Sequence, residues 1–386
     1  MQIGSMSIRT KVAVASAALT SCAVIAVIAL TINLMSRAST QEAEARARAL
    51  MGEFNATVTQ ELSSVLEVVN TSVAAVESAI RAQSNRDVLG QMIEGILQTR
   101  PDLVGATLAF EPNALGDDRL NVGARYSDAA GRFLPYFYHG QEGRVEVELL
   151  DMSPEAGIET WYSRPLRENR SLVTSPYSYT VGEKDVLMTT ISGVVRKDRK
   201  AVGILTGDLA LDRLSTRIGE MRPFGEGRIF LVSNDGRWIA HEDPARLGQP
   251  VTDAEKILIP GDKALHHVTL SGEKTMLLND SVRFAGMDEV WTLVMTVPTA
   301  TVMANVVSTR NLTVLAAAAL LAATLVLVWL GAQAISRPIE AMTMAMRRLA
   351  EGKMDTAIPH TGRGDEIGAM ASAVEVFRDN AVDARR

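Results

Sequence analysis

Few side chains in this sequence stand at spacings that do chemistry. His241-Glu242-Asp243 and His266-His267 place imidazoles near carboxylates, the donors a divalent metal takes, but neither group has a sharp ligand spacing. His241 reads instead as a packing residue at a strand end. Gly225-Glu226-Gly227 and Gly362-Arg363-Gly364 lack the following Lys-Ser/Thr that lets a glycine loop hold phosphates. No Ser/His/Asp or Cys/His set has a recognisable context. The chain therefore reads as a non-enzyme, without catalytic residues, metal or cofactor. A net charge of −6 and the lack of a basic stripe with interleaved aromatics leave no footprint for nucleic acid.

The stronger signals lie in the elements. Between Lys11 and Arg37 stand 25 residues without Asp, Glu, Lys or Arg, and between Arg310 and Arg337 stand 26 more. At about 1.5 Å per residue either run exceeds the roughly 30 Å hydrocarbon core of a bilayer. Residues 12–36 and 311–334 are thus expected to span a membrane as helices. Basic residues are nearly balanced around the first run. Around the second, Arg310 stands alone before it, whereas Arg337, Arg347 and Arg348 follow it. That bias places residues 1–11 and 335–386 in the cytoplasm and 37–308 outside, in a two-pass protein of a bacterial inner membrane. The single cysteine, Cys22, falls inside the first run, so no disulfide can brace the outer region.

From Ser36 to about Ala82 there is no Pro, and apolar residues recur at Leu50, Phe54, Val58, Leu62, Val65, Val69, Val73, Val76 and Ile80. Steps of three and four predict one stripe of a helix about 70 Å long, over 37–85. The period changes from about Asp87. Strands are expected at Leu103–Phe110, Phe133–Tyr138, Val186–Arg196 and Lys200–Leu209, the last two around the hairpin turn Lys197-Asp198-Arg199. A second series follows at 227–233, 237–241, 266–270, 274–278 and 291–297. Asn234-Asp235-Gly236 supplies a turn in which residues tolerate positive φ. The region is α+β, with antiparallel sheets in two tandem modules, 86–215 and 216–298.

After the second span, Ile335, Ile339, Met342, Met346 and Leu349 step 4, 3, 4, 3, the seam of a coiled coil. Gly352, Pro359 and neighbouring glycines interrupt it, and a second seam follows at Ile367, Met370, Val374 and Phe377, opened by Asp365 and Glu366. Two short heptad helices cannot bury both seams alone, so a homodimer closing a four-helix bundle is expected.

The stretch Ile335-Ser336-Arg337-Pro338-Ile339, then Leu349-Ala350-Glu351-Gly352, then Gly364-Asp365-Glu366-Ile367-Gly368 closely resembles a HAMP linker. Pro338 stands early in the first helix, and Asp-Glu-Ile-Gly opens the second. The outer region resembles a double Cache (dCache) sensor, a pair of PAS-like modules. Trp161-Tyr162, Thr174-Ser175-Pro176-Tyr177, Gly203 to Leu209 and Ser233 to Gly236 with His241 stand as its landmarks. Together with Val374 to Asn380, the pairing is similar to methyl-accepting chemotaxis proteins. That resemblance implies a dimer that binds a small molecule outside and signals to a CheA-type kinase through a CheW-type adaptor. Arg385-Arg386 falls in a helical stretch without a stop signal, so the chain reads as a receptor portion whose output domain is absent. The alternative is the sensor portion of a transmembrane histidine kinase or diguanylate cyclase, which shares this front end.

In amino-acid-binding dCache sensors the resemblance implies a ligand set to which Trp161, Tyr162, Tyr177 and Asp208 correspond here. At the position of the family's arginine stands Glu159, and Pro154 replaces its first tyrosine. Arginine offers a carboxylate a bidentate fork, which glutamate would repel. Aromatic faces with Glu159 and Asp208 suit an amine instead, through cation–π contact and charge pairing. Arg164 is the alternative anchor should the ligand be an acid.

Overall fold

The computed structural model describes residues 8–140 and 143–383. The chain divides into two units. One comprises residues 42–303; the other joins the start of the chain, through Gln41, to everything from Ala304.

In the first unit, helix α1 (Ile8–Arg81) supplies a buried stripe from Ala47 to Ile80, and α2 (Arg86–Thr99) follows after a short turn. The sequence reading missed α2. Its buried apolar residues, Leu89, Ile93 and Leu97, recur every fourth position, and Asn85 caps it by accepting the Val88 amide at 2.9 Å. The strands β1 (Gly105–Phe110), β2 (Pro135–His139) and β3 (Val145–Leu149) come next. A short helix α3 (Arg164–Glu168) precedes β4 (Leu172–Val173), β5 (Tyr177–Val181), β6 (Lys184–Lys197) and β7 (Lys200–Ala210). These seven strands form one antiparallel sheet in the order β3-β2-β1-β7-β6-β4, with β5 also paired to β6. Asp198 and Arg199, at φ 52° and 66°, make the tight β6–β7 hairpin that the sequence predicts.

Helix α4 (Leu211–Gly219) leads to β8 (Arg228–Val232), β9 (Trp238–Ala240), β10 (His266–Leu270), β11 (Glu273–Arg283) and β12 (Val290–Pro298). They form a second antiparallel sheet ordered β10-β11-β12-β8-β9. The stripe of α1 shares one core with both sheets, from Val58 and Leu62 to Ile191, Leu205, Leu278 and Leu293.

Two glycines let the helix lie close to the first sheet. A Cβ at Gly193 would stand 2.7 and 2.8 Å from methyls of Val69 and Val73, and one at Gly207 3.2 and 3.3 Å from Val69 and Val65. Gly193→Val is accordingly expected to destabilise the fold by about 1–3 kcal/mol, because a packed core cannot absorb the added volume. A denaturant melt of the variant against the parent chain checks this.

In the second unit, α5 (Thr299–Ala350) and the beginning of α1 are both long and apolar enough to cross a membrane, and their most apolar windows are unburied. Thr20, Thr31, Thr313 and Thr324 turn their hydroxyls back onto the carbonyl four residues earlier, at 2.7–2.9 Å. That leaves no hydroxyl hydrogen of these four to be satisfied by a solvent. Helix α6 (Glu366–Asp383) starts after a connector, and the Asp365 carboxylate accepts the Gly368 amide at 3.1 Å. Met342, Ala345 and Leu349 pack with Ile358 and Ala371 into a small core, joined by Met354 and Val374.

Candidate functional site

The two faces of the first sheet differ in chemistry. Residues of β1 and β7 alternate, so Ala106, Leu108, Leu205 and Leu209 meet the helices while Thr107, Thr206 and Asp208 point the other way. Register brings Thr107 opposite Tyr136 on β2, and Asp208 opposite Thr190 on β6. On this face a second aromatic cluster gathers Tyr136, Trp161, Tyr162 and Tyr179.

The roof of that face is an unusual turn. Pro154–Ala156 forms a 3₁₀ turn ended by Gly157 at φ 73°, and Glu159–Ser163 form a π-helical turn, a wide winding that often marks a functional site. Three contacts hold it. Trp161 Nε1 donates to the Ala156 carbonyl at 2.9 Å, and the Ser192 hydroxyl donates to the Trp161 carbonyl at 2.8 Å. The Trp161 ring meets Tyr179 edge-on, with centroids 6.4 Å apart.

Beneath the roof lies a cavity lined by Thr107, Tyr136, Leu150, Trp161, Tyr177, Tyr179, Thr206 and Asp208. Its volume is 10 Å³, about the room a single water needs. Asp208 is 3% exposed and has no ion-pair partner among the described residues. Thr190 Oγ1 donates to its Oδ1 at 2.8 Å. Because a hydroxyl carries one hydrogen, the Tyr177 hydroxyl, 2.6 Å from Thr190 Oγ1, must in turn donate to that oxygen. Burial pushes the Asp208 carboxyl up from its ordinary 3.8 to about 6, and the hydroxyls facing it only partly offset that. The buried Tyr136 hydroxyl is one of those that face the Asp208 carboxylate. A buried acid without a counter-charge and aromatic walls are complementary to a small cationic group.

Of the five expected ligand residues, Trp161, Tyr177 and Asp208 come together here. Tyr162 does not line the cavity. Its hydroxyl bonds Glu111 and Arg132 at the far side of the roof, and the Arg132 guanidinium lies over its ring, 5.2 Å from the centroid. Glu159 does not line it either. Its side chain is two-thirds exposed and pairs with Arg167 at 2.7 Å. Neighbouring positions of a helical turn project in different directions, so Trp161 reaches the cavity while Glu159 and Tyr162 do not. Arg164, the alternative anchor, pairs with Glu168 and Glu289 at 2.9 and 3.0 Å. Tyr136, Tyr179, Thr107, Thr190 and Thr206 escaped the sequence reading, because pairing between strands distant in the chain brings them together.

The other expected positions fall as follows. His241 meets Trp238 edge-on and lies tilted against Phe230, and its Nδ1 accepts the Asp243 amide at 3.0 Å. In the HAMP-like region Pro338, Met342 and Leu349 are buried within the chain itself and Ile367 and Val374 partly so. Ile339, Met346, Met370 and Phe377 are exposed, as is Glu366 at the start of α6. The expected seams therefore divide, one set closing the chain's own core and the other left on its surface.

Comparison with known proteins agrees with this architecture. Residues 89–216 match the family described as methyl-accepting chemotaxis protein-like, first PDC sensor domain, and residues 330–383 match the HAMP domain. The chain is 27% identical over 333 residues to the methyl-accepting chemotaxis protein TlpQ of Pseudomonas aeruginosa, covering 76% of this chain and 46% of that protein. Among solved structures, the extracellular domain of the histidine kinase mmHK1S-Z2 matches with a TM-score of 0.57 at 21% identity, over 68% of this chain and 99% of that one. The periplasmic sensory domain of the Campylobacter jejuni chemoreceptor Tlp1 matches with a TM-score of 0.53 at 12% identity, over 65% and 93%. The chain thus joins a PDC sensor domain of the methyl-accepting chemotaxis protein-like family to a HAMP domain, and it is homologous to the Pseudomonas chemotaxis receptors.

Proposed function

We propose that this chain is the sensing and relay portion of a transmembrane chemoreceptor whose first module, residues 86–215, binds a small amine. The observation that carries the ligand class is Asp208, a buried carboxylate among aromatic rings that has no cation of its own among the described residues. An ammonium group would complete the pair and lie against the ring faces of the cage.

A cavity of 10 Å³ holds no such ligand, so binding requires the roof turn at Trp161 to lift. Only a difference in affinity between closed and open states can drive a signal, and this movement supplies it. The second module, residues 216–298, ends at Pro298, from which α5 starts. The HAMP region reads the displacement as a bistable element, closed by a second copy of the chain across the exposed Ile339, Met346, Met370 and Phe377. A CheA-type kinase and a CheW-type adaptor would receive the output through a domain of the whole receptor.

This reading requires the sensor to lie outside and the HAMP region inside. In a Cys22→Ser background, Leu120→Cys is expected to react with an impermeant maleimide in intact spheroplasts, and Gly364→Cys only after lysis. Leu120 is 83% exposed, whereas neighbouring Asp118 is buried in an ion pair with Arg86 at 2.6 Å and would label poorly. Equal labelling of both cysteines before lysis would overturn the topology.

A further inference from the structure

The second sheet also has a face turned away from α1. Met276 and Leu278 of β11 join the shared core under the helix, so the alternate residues Leu277, Asn279 and Ser281 point to the opposite side. There Phe230, Val232, Trp238, Leu277 and Val294 form an apolar floor. Asn279 interrupts that floor. It is 6% exposed, and neither its Oδ1 nor its Nδ2 has a hydrogen-bond partner. Leaving a buried amide unpaired is unfavourable, a cost that an apolar residue at the same place would avoid.

Asn279 lines a cavity of 160 Å³ with Ile259, Lys263, Asp280, Ser281 and Thr292. Ser281 and Thr292 stand directly opposite each other on β11 and β12. The volume is close to the roughly 150 Å³ that accommodates a six-membered ring in an engineered protein cavity. The charged groups of the rim already have partners, since Lys263 pairs with Asp280 at 2.5 Å and Asp262 shares a hydrogen bond with the His266 ring at 2.6 Å. No free cation among the described lining residues awaits an anion, and no buried acid awaits an amine.

We propose that the second module holds a ligand site of its own, centred on Asn279 and suited to a small uncharged molecule bearing a primary carboxamide. The asparagine amide presents a donor and an acceptor in one plane. A carboxamide presents the complementary acceptor and donor, so the two close a pair of parallel hydrogen bonds. Ile259, the apolar side chain of the lining, takes the remainder of a small ligand, and the half-buried Ser281 and Thr292 lie at the mouth. This site is separate from the Asp208 cavity and stands whether or not that cavity takes amines.

The test is a thermal melt of the purified full chain with millimolar propionamide, with propionate as the charged control. Propionamide is expected to raise the melting temperature by about 2–4 °C at saturating concentration and propionate to leave it unchanged. Asn279→Leu should remove the response without lowering the ligand-free melting temperature, because it replaces an unpaired polar group by an apolar one. Ser281→Ala, at the mouth, should keep the fold and weaken the response severalfold. Absence of a propionamide response in the parent chain would overturn the proposal. So would an undiminished response in Asn279→Leu, or a ligand-free melting temperature lowered by that substitution, which would make Asn279 a structural residue satisfied within the fold.

Discussion

Asp208→Asn is expected to raise the melting temperature of the ligand-free chain at about pH 8 and to leave it unchanged at about pH 4. The physical reason is the cost of an ionised carboxylate that is 3% exposed and lacks a cation partner. Its pKa in the folded chain is about 6, against an ordinary 3.8. A displacement of about two pH units corresponds to about 3 kcal/mol. Because the folded value lies above the unfolded one, the protonated form is favoured by folding. The associated stability is fully present below about pH 4 and is lost as the pH rises through about 6. Asparagine keeps a carbonyl to accept from Thr190 and never ionises, so it retains what the parent chain loses. Differential scanning calorimetry across that range measures the difference directly. A variant less stable than the parent at about pH 8 would mean that Asp208 is paired in the native protein.

The second large effect is expected at Glu289. Its side chain is 2% exposed and accepts from Arg164 Nη2 at 3.0 Å and from both Nη atoms of Arg170 at 3.1 Å. Glu289→Ala leaves two guanidinium groups facing an apolar gap, and removing one partner of a buried pair costs about 3–5 kcal/mol. Both arginines retain partial exposure and can rehydrate, which places the loss near the lower end, about 3 kcal/mol. Glu289→Gln keeps an acceptor and should recover part of it. The position matters for signalling as well as stability. Arg164 and Arg170 flank α3, which continues directly from the Trp161 roof turn, while Glu289 immediately precedes β12, the strand that runs into α5. In the proposed function, a movement of the roof would reach β12 through this clamp. Glu289→Gln should bind ligand with near-parent heat yet show a weakened response in a receptor carrying a grafted output domain. A full response from that variant would show that the clamp holds the fold only.

Much of this architecture was readable in advance where one physical pattern dominated. The stripe from Val58 to Ile80 predicted the buried face of α1, since steps of three and four admit one conformation. Asn234-Asp235-Gly236 and Lys197-Asp198-Arg199 marked two turns because positive φ restricts residue choice. The α2 helix was missed because it is only 14 residues long and is interrupted by Gly90 and Gly95. Short edge strands such as β4 carry too few residues to establish a period. At the site, Asp208, Trp161 and Tyr177 were legible through resemblance, whereas Tyr162 and Glu159 were assigned to a pocket they do not line. Adjacent residues of a helical turn point apart, and nothing in Glu159-Thr160-Trp161-Tyr162 announces which of them faces the cavity. Tyr136 and the threonines reach the cavity only through sheet register, which pairs residues as distant as Thr107 and Thr206. Register between strands so far apart in the chain is set by the assembled core, and no local pattern encodes it.

The most direct measurement is a calorimetric titration of the purified chain with primary amines and with carboxylic acids of matched size that lack an amine. Amines are expected to bind, with affinity falling about tenfold per pH unit below about pH 6 as Asp208 takes up its proton. Asp208→Asn should weaken that binding by about a hundredfold or more, the effect of removing one charge of a buried pair. If an acid without an amine binds most tightly, and Asp208→Asn leaves its affinity unchanged, the amine site at Asp208 is contradicted.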